Sequence, residues 1–248
     1  MTFDRQQIKI KLKATAIHFF ISLAVFLVLA GLVYFVWYPQ PYFSVDGGWQ
    51  GIRIIAAVDL VLGPMMTLVI FNIKKPRKEI ITDLTIIAVI QLSALSYGVI
   101  VTYNQRPVAV ILNDPLAIST VAEIYGDSLK SLDDLQNYSD EKPPIIAMEI
   151  PLNRQALDEV MRLEKDQGLM EHAQQQLYLP RQQLAGFIEK SQATMTAILG
   201  QRHGQKDFDN WLVENKTTAE QVLLFAFNGR YGFVWLVFDQ DGQYLGYF

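Results

Sequence analysis

From Ala14 to Val45 the chain carries no Asp, Glu, Lys or Arg. Within that run Ile17 to Val36 is almost wholly apolar, and twenty helical residues span about 30 Å, one hydrocarbon core. A segment of this kind has few places to fold except inside a bilayer. The basic start (Arg5, Lys9, Lys11, Lys13) also resembles a secretory signal. However, the apolar run exceeds the usual signal core of roughly 7–15 residues, and Trp37-Tyr38-Pro39-Gln40 is no small-residue cleavage site. A retained anchor is the expectation.

Two further windows have membrane length. One runs from Gly51 to Phe71 with Arg53 near its start and Asp59 inside, and the other from Ile80 to Val101 with no charge after Asp83. Gly63-Pro64 predicts a bend in the second helix, since such residues are tolerated where neighbours re-satisfy the backbone. The fold class expected is therefore an α-helical membrane anchor of three transmembrane helices (about 16–36, 51–71 and 80–101). A small α+β extracytoplasmic domain with a C-terminal antiparallel meander follows. The boundary falls at 103/104.

Charge orients the anchor. The N-terminal tail and the connection 72–79 are each rich in basic residues, the latter through Lys74, Lys75, Arg77 and Lys78, while 37–50 has none. Basic segments stay cytoplasmic, so three crossings carry everything after about residue 102 outside. The signs agree: residues 1–101 carry a net +4 and residues 102–248 a net −8. The lipid bilayer is thus an expected partner, and an acidic outer domain is no nucleic-acid binder.

Asp59 stands apart, because a carboxylate in a spanning helix is costly unless it faces protein, a partner or water. His18, Gln91, Tyr97, Asn104 or a group on another protein are its candidate partners. It either locks the helices together or recognises a partner; ion coupling is the thinner reading, as the spans offer no second carboxylate well inside.

In the outer part, 107–112 and 145–150 predict short strands, and Asn113-Asp114-Pro115 a turn. Residues 116–124 read as a strand entering a helix, and 126–144 as loop or short helix. Apolar spacing places a helix near 157–164, one long helix after Pro180 to Leu199, and a shorter one through Phe208, Trp211 and Leu212. Val222–Phe227 and Tyr231–Phe238 form a hairpin with a tight turn near Asn228-Gly229, and 243–248 adds a last strand.

No catalytic, cofactor or metal site is expected. There is no cysteine, and His18, His172 and His203 lack metal-like spacing. Asp239-Gln240-Asp241-Gly242 reads as a hairpin turn rather than a calcium loop.

Three segments in order resemble the TfpX/TfpZ family of type IV pilin accessory proteins. The first is Tyr38-Pro39-x-Pro41-Tyr42 with Gly47-Gly48. The second is Val58-Asp59-Leu60-Val61-Leu62-Gly63-Pro64 with Thr67 to Asn72 and Lys75. The third is Asp83-Leu84 leading to Gln91 through Gly98, then Tyr103 and Arg106-Pro107-Val108. The resemblance covers about residues 15–112. It implies an inner-membrane protein of Gram-negative bacteria, not an enzyme, that assists the type IV major pilin alongside other pilus assembly proteins. Asp59, Gly63, Pro64, Asp83, Gln91, Tyr97, Gly98, Tyr103, Arg106 and Pro107 match family-patterned positions and are the candidate partner-binding or anchor-packing residues. A membrane-anchored periplasmic ligand-binding or sensor subunit is the alternative. A membrane-face transferase, using Asp46, Asp59 or Asp114 with Arg53 or Arg106, is a third reading.

Overall fold

The computed structural model describes residues 5–72, 74–202 and 204–248. They form two compact units, one holding the chain up to Pro39 together with Gly47–Asn104, the other Gln40–Asp46 with Gln105–Phe248. The segment 40–46, expected as part of the loop between two crossings, packs with the second unit.

In chain order the first helices are α1 (Arg5–Leu32, extended by a π-helical stretch Val33–Trp37), α2 (Tyr42–Val45), α3 (Gly48–Ala56), α4 (Gly63–Ile70) and α5 (Arg77–Asn104). A π-helical stretch, Ala57–Leu62, joins α3 to α4. Three continuous helices of 33, 23 and 28 residues result, each long and apolar enough to cross a membrane. They overrun the expected spans because the flanking polar residues, such as Arg5–Lys13, continue the helical ladder.

The bend expected at Gly63-Pro64 takes the form of that π-helical stretch. Pro64 has no N–H to offer the preceding turn, and there the ladder runs in the longer register, with the Gly63 N–H on the Val58 carbonyl. Such bulges re-aim side chains without breaking a helix.

The middle helix packs against both α1 and α5, which meet each other through the side chains of His18, Ser22 and Gln91. At one end, Tyr38 Oη donates to the Thr102 carbonyl at 3.0 Å, and Trp37 meets Tyr103 edge to face. Gly51 lies against Thr102, where a Cβ would stand 2.6 Å from its methyl. At the other end, Lys75 Nζ pairs with Asp83 at 2.5 Å and Gln7 Nε2 donates to Asn72 Oδ1. Phe20, Val28, Phe35 and Val69 expose well over half of their surface.

The second unit is built on a six-stranded mixed sheet. Its strands are β1 (Ala109–Asn113), β2 (Leu116–Thr120), β3 (Ile145–Ala147), β4 (Val222–Asn228), β5 (Phe233–Asp239) and β6 (Tyr244–Tyr247), in the order β3-β1-β2-β4-β5-β6. The antiparallel meander β4-β5-β6 is present, but it is half of a larger sheet, joined through the parallel pair β2/β4. β4 is buried from Val222 to Phe227, the continuous apolar run of a strand covered on both faces.

Besides α2, the α-helices of this unit are α6 (Arg154–Gln167), α7 (Leu184–Lys190), α8 (Gln192–Gln201) and α9 (Gln205–Asn215). α6 starts at Asn153, whose side chain accepts from the Ala156 N–H, and stops at Gly168 in the left-handed region. The single long helix expected after Pro180 is divided at Ser191. Gln192 explains the division: its amide accepts from the Leu224 N–H and donates to the Leu224 carbonyl, so it grips the central strand as a neighbouring strand would.

The hairpin loop also differs from expectation. Asn228 pairs with Phe233, leaving Gly229-Arg230-Tyr231-Gly232 as a four-residue loop rather than a tight turn. The end of α2 lies on it, with Tyr231 N–H donating to the Val45 carbonyl at 2.8 Å. A Cβ on Gly229 would meet that carbonyl oxygen at 2.5 Å, and one on Gly232 would meet the Val45 side chain at 3.0 Å.

Candidate functional site

Five polar side chains from the interior of the three apolar helices meet at one place. Asp59, 2% exposed, lies at the middle of the 23-residue helix. Its Oδ1 accepts from Gln91 Nε2 at 2.8 Å. The same Nε2 reaches Ser22 Oγ at 3.1 Å, and Gln91 Oε1 lies 2.7 Å from His18 Nε2. His18 Nδ1 in turn lies 2.6 Å from Thr67 Oγ1.

The directions of these bonds follow from one another. A carboxyl oxygen accepting a bond requires the amide nitrogen of Gln91, so the amide oxygen must face His18. That oxygen only accepts, so His18 Nε2 carries a proton. In the neutral ring Nδ1 then accepts from the Thr67 hydroxyl. One carboxyl group thus sets the amide orientation and the imidazole tautomer on three helices.

The helical spacing explains the meeting. His18 and Ser22 are four apart on α1, and Asp59, Gly63 and Thr67 are spaced by four along the middle helix, so each set shares a face. Gly63 is there because of Gln91: a Cβ at Gly63 would overlap the carboxamide, with Cδ at 2.6 Å. Asp59 Oδ2 is buried and has no hydrogen-bond partner among the described residues. Asp59 also borders a cavity of about 270 Å³ whose walls come mostly from α1 and α5.

Of the ten candidate residues, the structure brings Asp59, Gly63 and Gln91 into this cluster, with Pro64 buried beside it. The others lie elsewhere. Asp83 ties the 72–77 connection to α5 through Lys75. Gly98 is buried, with Ile54 the nearest neighbour a Cβ would meet, at 3.5 Å. Tyr97 is 72% exposed, and Tyr103 packs on Trp37. Arg106 and Pro107 lead into β1 in the other unit. Among the suggested partners of Asp59, Gln91 is direct and His18 acts through Gln91, while Tyr97 and Asn104 are not in the cluster. Ser22 and Thr67 were not singled out from sequence. Their signal is a small hydroxyl residue four or eight positions from a more polar one in an apolar helix.

The second unit has its own buried charge. Asp46 is fully buried, and Arg230 meets it through Nε on Oδ1 at 3.1 Å, Nη2 on Oδ2 at 3.3 Å and its backbone N–H on Oδ1. Nη2 also donates to the Asp46 and Gln105 carbonyls, at 2.6 and 2.7 Å, and Nη1 to Gln105 Oε1. This pair fastens 40–46 to the β4–β5 loop. Of the acids in the transferase reading, Asp46 is thus ion-paired with Arg230 and Asp59 hydrogen-bonded to Gln91.

Burial pushes the His172 imidazole pKa down, and the Tyr178 hydroxyl donates to the His172 carbonyl at 2.7 Å. His203 lies outside the described residues. No group of three or more His, Asp or Glu suited to a metal occurs among the described residues. Asp239 Oδ1 accepts from the N–H groups of Asp241 and Gln243, the geometry of a turn.

These features define a class: three membrane-length helices locked by a buried polar cluster, carried with a mixed-sheet α+β unit. Comparison with known proteins narrows it, and the chain belongs to the fimbrial assembly protein family. The family profile described as Fimbrial assembly protein FimB matches residues 6–47. The chain is 39% identical over 127 residues to the fimbrial assembly protein of serogroups C1 and C2 of Dichelobacter nodosus, covering 51% of this chain and 97% of that relative. The serogroup E1 and serogroup I proteins of the same organism are also 39% identical over 127 residues. There the matched stretch spans about half, 49%, of the relative's length. No solved structure matches the chain.

Proposed function

We propose that this protein is a non-enzymatic, membrane-anchored assembly factor for type IV fimbriae, of the TfpX/TfpZ accessory kind, acting on the major pilin. The observation that carries the reading is the 39% identity to a relative named a fimbrial assembly protein and matched over 97% of its length.

Physical features support the rest. Apolar residues such as Phe20, Val28, Phe35 and Val69 point outward from the long helices, which is favourable against lipid and unfavourable against water. The basic tail and the basic connection between the middle helix and α5 support a cytoplasmic position for those ends. The α+β unit is then periplasmic, in the inner membrane of a Gram-negative bacterium, where a fimbrial subunit awaiting assembly is within reach. Of the ten candidate residues, Asp59, Gly63, Pro64, Gln91 and Gly98 serve anchor packing, and Tyr97 is the one most open to a partner.

The test is co-purification of the tagged full chain with the major pilin from detergent-extracted membranes. Recovery of pilin above an untagged control supports the reading. Recovery at background under several mild detergents contradicts it.

A further inference from the structure

The second unit holds a cavity of about 650 Å³ between residues 139–145, the turn before α7 and the β5–β6 hairpin. That volume suits a small molecule or one long side chain. Ile145, Leu184 and Phe238 give the cavity an apolar wall, while Asp140, Glu141, Arg181 and Asp241 bring charge to it. Three carboxylates and one guanidinium leave its lining net negative.

The charges are not equivalent. Asp140 and Arg181 pair with each other at 2.5 Å, and their side chains are 75% and 54% exposed, so they form a rim. Asp241 is exposed in the hairpin turn. Glu141 is the half-buried one. Its backbone N–H donates to Ser139 Oγ at 3.2 Å, but its carboxylate has no hydrogen bond or ion pair among the described residues. Both carboxylate oxygens retain accessible surface, so a ligand in the cavity can reach them.

Positive charge is short throughout this region. Burial and then Asp140 push the Glu141 pKa up, which Arg181 offsets only in part. Burial raises the Tyr244 hydroxyl too, with Tyr247 and Glu141 adding to it. Tyr42, 3% exposed, is raised by burial and then by Tyr244, Asp46 and Glu141. Three acidic groups are thus held back from ionising by burial and by one another. A half-buried carboxylate without a cation lowers the stability of the empty protein, and perturbed groups of this kind gather where ligands bind.

We propose that this cavity binds an organic cation on a short apolar stem, the chemistry of an alkylammonium group, with Glu141 as its carboxylate partner. The ammonium donates to the Glu141 oxygens, and the stem lies against Ile145, Leu184 and Phe238. A neutral stem covers the same wall but leaves Glu141 without a cation, and an anion meets a lining of its own sign. Arg181 competes with the ligand from the rim. The site lies wholly within the second unit and does not depend on the assembly reading.

The experiment titrates the full chain in a neutral detergent with three probes, read by ligand-observed NMR. They are n-butylammonium, 1-butanol (the same stem and a donor, without the charge) and Nα-acetyl-lysine N-methylamide. A charge-assisted hydrogen bond predicts that n-butylammonium binds about 10-fold or more tightly than 1-butanol. Glu141→Gln should abolish that preference in a protein that stays folded, because it removes a charge that lowers stability. Arg181→Gln should tighten binding of the ammonium, a gain that misfolding does not produce. Asp127→Asn removes a carboxylate from a different cavity of the same unit and should change nothing.

No binding of either cation, equal binding of n-butylammonium and 1-butanol, or a preference that survives Glu141→Gln would each overturn the proposal. So would an equal loss in Asp127→Asn, or weaker ammonium binding in Arg181→Gln. If the blocked lysine binds as tightly as n-butylammonium, the site takes lysine side chains of a polypeptide. If n-butylammonium alone binds, it takes a small amine. Either result supports recognition of the cation.

Discussion

Gly63 lies directly against the carboxamide of Gln91, with no room for a methyl group between them. The contact explains a glycine in the middle of an apolar helix, where it is otherwise unfavourable. It also makes the hydrogen-bonded chain from Asp59 to Thr67 depend on one missing side chain.

Gly63→Ala should therefore push Gln91 off Asp59 and His18 together. Overpacking of this kind costs about 1–3 kcal/mol, to which the broken bonds add. Gly98→Ala is the control, since the nearest atom to a Cβ there is Ile54 Cγ2 at an ordinary 3.5 Å. Thermal unfolding of the full chain in detergent should show a clear drop for the first variant and little change for the second.

Arg230→Ala should release 40–46 from the β4–β5 loop and leave Asp46 buried without its cation. Loss of one partner from a fully buried pair costs about 3–5 kcal/mol. Arg230 is about a third exposed, so an effect of about 2–3 kcal/mol is expected. Asp46→Asn combined with Arg230→Ala should recover part of the loss. Limited proteolysis at the 40–46 segment, compared across the three proteins, reads this directly.

Deleting 243–248 should destabilise the sheet unit. β6 pairs with β5, and Phe248 exchanges backbone bonds with Trp235 at 2.9 and 3.1 Å while stacking on Phe208. Removal takes out ladder bonds and aromatic burial together, a loss of about 3 kcal/mol or more. Faster proteolysis and lower protein level are the expected outcomes, and unchanged protease resistance would show the strand to be dispensable.

Partial burial, and then Asp140 beside it, push the Glu141 carboxyl pKa up from its ordinary 4.5. A carboxyl raised in the folded state is stabilising only where it is protonated, so at pH 7 its charge costs stability. Glu141→Gln should raise the melting temperature modestly at pH 7. The gain should shrink as pH falls through the raised value and vanish below the unfolded value near 4.5. A gain that persisted at pH 3 would contradict this account.

Much of this architecture was legible because membrane-length apolar runs are coarse signals that tertiary contacts rarely override. The strands of the second unit near 107–112, 145–150 and 222–238 were legible for a similar reason, as apolar runs bounded by turn residues. Three features were not. The division at Ser191 depends on Gln192 reaching Leu224, thirty-two residues away, which helical periodicity does not register. The four-residue loop 229–232 is shaped by Val45, far back in the chain, so Asn228-Gly229 alone suggested a tighter turn. Asp59 was conspicuous and Gln91 was named among its partners. Ser22 and Thr67 were hidden because small hydroxyl residues are common in apolar helices and acquire meaning only when three helices bring them together.

The proposed membrane orientation rests on the charge pattern, and reporter fusions measure it. A fusion after Asn72 should report cytoplasm and one after Phe248 the periplasm. Both on one side would rule out three crossings.

Fimbrial assembly itself is tested most directly by counting surface fimbriae on the parent bacterium, on a strain deleted for this protein, and on that strain carrying the wild-type chain in trans. The account predicts that fimbriae are lost or sharply reduced on deletion and restored by the wild-type chain. Undiminished fimbriae on the deleted strain would contradict it.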